Sequence, residues 1–204
     1  EPRAHVGVDH GVVLGLRRPR DWAGLRPRAV AAAFDGLRRT HQAVVADVDA
    51  DLETEAETGS ADIEDRHAAT LAVVRSADAV VVVTGADMKG VHGAVRLVHE
   101  LRRCGTPAAR IVVVLNRAPR STIERGRLTR SVRTLTGEQP GAVVVVRHLR
   151  SAESAHRDAV PLASHTGAAI LRAVTEVLGS GAVAPDQPVR IRVGELGASL
   201  GGRP

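Results

Sequence analysis

Aromatic residues are almost missing from this chain: among 204 residues there is one Trp, one Phe and no Tyr. A core built without rings must be filled by Val, Leu, Ala and Ile. That favours layers of helix and strand over aromatic-rich β folds. It also argues against recognition of single-stranded nucleic acid, which stacks bases on aromatic platforms. Cysteine is nearly absent too. Cys104 has no second thiol to pair with, so no disulfide forms within the chain, as expected for a reducing cytoplasm. No apolar run approaches the roughly 18 residues needed to span a bilayer, and no signal-peptide pattern opens the sequence. Lysine occurs once, at Lys89, and Gly90 follows it. A G-x-x-x-x-G-K-[ST] phosphate loop is therefore absent from the chain.

The apolar fraction is 44%, ordinary for a packed domain, and the length suits one α/β domain. Of 28 basic residues, 27 are Arg, which beside the Ala and Val richness reads as the codon bias of a GC-rich genome. Arginine abundance alone is therefore discounted as a functional signal. Charge placement is uneven. Residues 47–65 hold nine acidic groups (Asp47, Asp49, Asp51, Glu53, Glu55, Glu57, Asp62, Glu64 and Asp65) and no basic one. The remainder holds 28 basic against 14 acidic residues, a net of +14. Most of the acidic run reads as solvated, with one or two carboxylates available for Mg²⁺.

Short Val-rich runs alternate with helical spacing. Strands are expected at Gly11–Leu16, Ala43–Asp47, Asp78–Thr84, Ile111–Leu115 and Ala142–Val146. Helices are expected at Arg28–Thr40, Asp62–Ala77, Lys89–Arg103, from Ser121 to about Leu135, and at Thr166–Leu178. Asp62 and Asp65 can cap the second helix, and Ser121 with Glu124 forms a capping box for the fourth. The unbroken Val80–Val83 run predicts a strand buried on both faces. This alternation implies a mostly parallel sheet flanked by helices on both faces. Residues 1–179 read as one domain. Residues 180–204, rich in Gly and Pro, read as a mobile tail, with Val189–Val193 a candidate edge strand. Ligands of such sheets bind beyond the carboxyl ends of the strands. The positions to inspect are Asp47–Asp51, Thr84–Asp87, Asn116–Arg117 and Arg147–Arg150.

Three stretches in order carry a family likeness. They are Leu37–Asp47 (LRRTHQAVVAD), Ala77–Val98 (ADAVVVVTGADMKGVHGAVRLV) and Arg110–Arg117 (RIVVVLNR). Together they resemble the ParA/MinD-like, deviant-Walker P-loop ATPases, over roughly residues 35–178. The resemblance implies a P-loop-type fold lacking its N-terminal phosphate-loop part. It places Asp47 as the Walker B carboxylate, the metal-side and catalytic residue. It sets Asn116, with Arg117 beside it, at the nucleotide base. The implied cofactors are ATP and Mg²⁺. Mg²⁺ prefers one or two carboxylates with phosphate oxygens and water, and a carboxamide offers a base edge both a donor and an acceptor. The implied activity is ATP hydrolysis for spatial positioning of chromosome, division-site or appendage machinery. A cytoplasmic homodimer around nucleotide, with a protein partner, would carry it out. Asp49 and Asp51 depart from the small apolar residues usual after that Asp. The phosphate loop itself is expected upstream of Glu1.

Alternatives stay open at this stage. One is a non-hydrolysing pseudo-ATPase scaffold; another is a basic DNA-binding partition protein, whose affinity would fall steeply with salt. Gly85–Gly93 could substitute for a phosphate loop, but it also reads as a plain strand-to-helix turn, with Asp87 opposing phosphate. His92 and His99 share a helix face without a third ligand, so zinc is not expected. Cys104, at a helix end, reads as packing. Trp22 reads as an anchor under a loop, and Arg17, Arg18 and Arg20 as a solvated cluster or an anion contact. Membrane anchoring would want a C-terminal amphipathic helix, which the Gly- and Pro-interrupted tail does not offer.

Overall fold

The computed structural model describes residues 3–5, 11–15, 26–52, 59, 61–162 and 164–180. The expectations for Trp22, for Arg17, Arg18 and Arg20, and for the 181–204 part of the tail lie outside them. So does the proposed capping by Asp62 and Asp65, whose side chains are not described. In chain order the elements are β1 (Arg3–His5), β2 (Gly11–Val13), α1 (Pro27–Thr40), α2 (Ala61–Ser76), β3 (Val80–Gly85) and α3 (Met88–Arg103). There follow β4 (Ile111–Ala118), α4 (Thr122–Leu135), β5 (Ala142–Arg147), α5 (Arg150–Arg157) and α6 (Ala168–Ser180). β1 and β2 pair antiparallel, while β3, β4 and β5 form a parallel sheet in that order.

The chain is thus α/β, with a parallel sheet flanked by helices on both faces. The alternation of side chains along β4 builds the two layers. Ile111, Val113 and Leu115 point to one face, where they join Leu71 and Val74 of α2, Val91, Ala94, Val98 and Leu101 of α3, and Leu128 and Val132 of α4. Val112 and Val114 point to the other, against Ala173 and Val177 of α6. All five β4 residues from Ile111 to Leu115 are at most 1% exposed.

Local chemistry sets the helix boundaries. Asp87 caps α3 by accepting from the Gly90 amide at 2.7 Å, and Ser121 caps α4 by accepting from the Glu124 amide at 3.3 Å. After α3 the chain turns at Gly105, whose φ of 95° only glycine adopts without strain. Gly90 has a different reason to be glycine: a Cβ there would run into the Gly85 carbonyl, because the start of α3 sits against the end of β3.

Three expectations need correction. Ala43–Asp47 is not a strand: residues 41–52 form no regular element, and Val45 is 97% exposed. Val-Val favours extended backbone, but a strand persists only with a partner ladder, and no pairing reaches this segment among the described residues. β3 is not buried on both faces. Val81 and Val83 register beside Val112 and Val114 yet are 39% and 61% exposed, because α6 packs on β4 and β5 and leaves their part of that face open. β4 runs three residues further than expected, so Asn116 and Arg117 lie within it. In addition, Arg150–Arg157 is a helix in a stretch for which no element was expected.

Candidate functional site

The carboxyl end of the parallel sheet brings together the turn after β3, the end of β4 and the start of the loop after β5. The Ala86 amide donates to the Asn116 carbonyl at 2.9 Å, fastening the β3 turn to the end of β4. β4 carries a bulge here. From Leu115 to Ala118 is three steps, while their partners Val145 and Arg147 are two apart, so β4 holds one extra residue. Arg117 absorbs it with φ of 58°, the left-handed region a non-glycine residue seldom takes. The Arg117 amide donates to Asn116 Oδ1 at 2.8 Å, steadying the turn. This occupies the Asn116 oxygen locally. Its NH2 group has no partner among the described residues and remains available for a ligand.

The rim of this end is cationic. Arg117 and Arg147 are exposed, and His148 lies 3.8 Å from Glu153, the first acidic residue of α5. Arg125 holds the loop from β4 to α4, its guanidinium donating to the carbonyls of Pro119 at 3.0 Å and Arg120 at 2.6 Å. On the β3 side, Thr84 Oγ1 donates to the Gly90 carbonyl at 3.0 Å. With the Gly90 amide already bound by Asp87, the first turn of α3 carries its own carboxylate where an anion would sit. Gly85–Gly93 is accordingly a capped strand-to-helix turn, within which Lys89 is exposed.

Asp47 is placed differently from Asn116 and Arg117. It is exposed, on the irregular segment after α1, with no hydrogen bond or ion pair among the described residues. The path of that segment is fixed at both ends. At its start, the Arg38 guanidinium donates to both Asp78 oxygens at 3.1 and 3.2 Å and to the Ser76 carbonyl at 2.6 Å, tying α1 to the approach of β3. At its far end Leu52 is 3% exposed in the main core, and Asp51 lies 3.5 Å from His67 Nε2. His67 sits nine residues before Ser76 along α2, roughly 13 Å at 1.5 Å per residue. The acidic segment therefore travels from the approach of β3 along the length of α2. Asp49 accepts from its neighbour's amide, Ala50, at 2.8 Å.

His67 shares the inner face of α2 with Leu71 and Val74, and all three are buried. Its pairing with Asp51 was missed; an acidic residue directly before a buried leucine, Leu52, was the available signal. The left-handed Arg117 and the bulge had no sequence signal. Among the described residues no three His, Cys, Asp or Glu side chains gather to hold a metal ion. His92 and His99 are both exposed, and His99 Nε2 bonds the Thr136 carbonyl at 3.2 Å. Burial pushes the Cys104 thiol up from its ordinary range, opposed by Arg75 and Arg103, so it is a poorer nucleophile than a free thiol. No described helix is long and apolar enough to cross a membrane.

No family model, no curated protein and no solved structure matches the chain.

Groups of the kind that ATP·Mg²⁺ takes occur on two separate segments, β4 and residues 41–52. Asn116 offers amide donors at a strand end, and Arg117 adds a charge beside them. Asp47 supplies one free carboxylate. On the phosphate side, the helix start at the β3 turn is closed by Asp87, which takes the Gly90 amide.

Proposed function

We propose that this chain is the base- and metal-facing portion of a ParA/MinD-like ATPase module, whose phosphate loop comes from a further part of the polypeptide. The observation that carries the reading is the Asn116–Arg117 bulge. It sits at the carboxyl end of the central strand of a parallel sheet, where doubly wound folds take their ligands. In this proposal Asn116 reads the adenine edge, Arg117 stands beside it, and Asp47 holds Mg²⁺ through water. When bound, ATP·Mg²⁺ supplies a γ-phosphate open to attack by water, and catalysis of that class rests on positioning and charge stabilisation. The parent would act in the cytoplasm as a homodimer, with a protein partner in a positioning system.

The test is nucleotide binding and turnover by the full parent. Asn116→Ala should weaken binding of a fluorescent ATP analogue by about tenfold, the order of one or two lost hydrogen bonds. Asp47→Ala should abolish Mg²⁺-dependent turnover. Wild-type behaviour of both variants would sink the assignment, as would a parent sequence without a K-G-G-x-G-K-[ST]-like loop.

A second reading, a non-hydrolysing scaffold of the same fold, is favoured by the closed start of α3 and by three exposed carboxylates, Asp47, Asp49 and Asp51, on one segment. It predicts nucleotide binding without turnover, or neither.

A further inference from the structure

Helix α6 is apolar on more sides than its own sheet uses. Ile170, Ala173, Val174 and Val177 pack against Val112 and Val114. A second stripe, Ala168, Leu171, Thr175 and Leu178, recurs at three- and four-residue spacing, and all four are exposed, Leu171 at 69%. The Thr175 hydroxyl donates to the Leu171 carbonyl at 2.9 Å, so its polar group is satisfied within the helix. The two charges of α6, Arg172 and Glu176, fall outside both stripes. A helix apolar on two sides is built to be enclosed, and 13 residues are too few to cross a membrane.

This second stripe borders the open strip of the sheet. Val177 lies against Gly141 at the amino end of β5, so the C-terminal end of α6 stands there and the helix runs antiparallel to the strands. Viewed from the α6 side with the strands pointing up, right-handed crossovers through α3 and α4 on the far face set β5, β4 and β3 from left to right. A right-handed helix descending in front of them turns the residue about 100° past Val177 toward the right. Leu178 and, two turns earlier, Leu171 therefore face β3, where Val81 and Val83 have no described helix above them. Helices pack about 8–10 Å apart and strands about 4.8 Å apart, so a helix laid beside α6 sits over β3. The trough between α6 and the edge of the sheet thus has room for one helix.

We infer that this trough is filled by α6 of a second copy of the chain, in a two-fold dimer that forms without nucleotide. Such a contact is isologous: each α6 brings its second stripe to the other copy's β3 strip and offers its own strip in return. Charge selects the occupant. Residues 88–135, which include α3 and α4 on the far face, carry eleven basic groups and two acidic ones, so that side repels another copy. The α6 helix carries one charge of each sign and can meet itself. A lipid surface is disfavoured, because an interfacial helix sets several cations beside its apolar stripe and α6 has one. The dimer is distinct from one built around nucleotide, and its test contains no nucleotide.

The experiment is sedimentation velocity of the full chain, without nucleotide, from about 1 to 100 µM, since self-association follows protomer concentration. The expected mass at the upper end is twice the 21.4 kDa of one chain. The dimer should survive about 500 mM NaCl, which screens ion pairs and leaves apolar contact intact. The double variant Leu171→Asp, Leu178→Asp should sediment as one chain throughout. Ile123→Asp, a like change at a 73% exposed position on α4, should still dimerise. Circular dichroism and a thermal melt establish that the variants are folded. If the double variant is not, Thr175→Arg alone should weaken association by at least about tenfold. Three results would overturn the inference: the mass of one chain at every concentration, undiminished association of the folded α6 variants, or dissociation of the dimer by salt.

Discussion

The two faces of the parallel sheet are made from the same valine-rich strands, yet they end differently. On one face α2, α3 and α4 close over Val82, Ile111, Val113 and Leu115. On the other α6 covers Val112 and Val114 and leaves Val81 and Val83 in contact with solvent. Strand chemistry is constant, so the difference lies in which helices are present to cover it. An apolar run says a strand can be buried; neighbouring elements decide whether it is.

The contrast is sharpened most by large-to-small changes on the closed face. Leu101→Ala should destabilise the fold by about 2–5 kcal/mol, the range for a fully buried leucine whose cavity cannot collapse, read by urea unfolding. A comparable loss for Val83→Ala would erase the distinction between the faces; the open position should cost less than about 1 kcal/mol. Next in size is Gly90→Ala, where the new methyl meets the Gly85 carbonyl. Overpacking of this kind costs about 1–3 kcal/mol, and the same melts would detect it. Asp87→Ala removes the α3 cap and should cost about 1 kcal/mol. It should also free the Gly90 amide, so weak sulfate protection of the variant, absent from the parent chain, would show that the carboxylate had been filling an anion position. The smallest effect is expected at the exposed Arg38–Asp78 pair. Arg38→Ala should change stability by no more than about 1 kcal/mol, shrinking further in salt. A larger loss would mean that α1 and the acidic segment depend on this clamp.

Much of the fold was legible in the residues because their periodicity is strong. The i, i+3, i+4 apolar spacing of α3 and α4, with Ser121 at the start of α4, fixes two helices within a residue or two. The Ile111–Leu115 run names the central strand. Ala43–Asp47 misled because a valine pair next to carboxylates has the composition of a strand, while strand formation needs a ladder that lies elsewhere in the chain. The α5 helix was illegible for the opposite reason. Its eight residues, RSAESAHR, contain no large apolar side chain, so no periodic signal marks it. Of the candidate site, the positions after the strands could be listed in advance. What happens there could not. The left-handed Arg117, the local use of Asn116 Oδ1 and the pairing of Asp51 with His67 all depend on geometry between segments distant in sequence.

The bulge in β4 has a bearing on how the chain tolerates changes in length. Leu115 and Ala118 are an odd number of residues apart, yet they pair with Val145 and Arg147, which are two apart and so share a side. In an unbroken strand, odd spacing would send one of them to each side. The extra residue at Arg117 resets that parity. Deleting one residue at this point would convert an irregular ladder into a regular one, whereas deleting one between Ile111 and Leu115 would turn every later side chain of the central strand inside out. Position 117 is therefore where β4 can gain or lose a residue at least cost to its core.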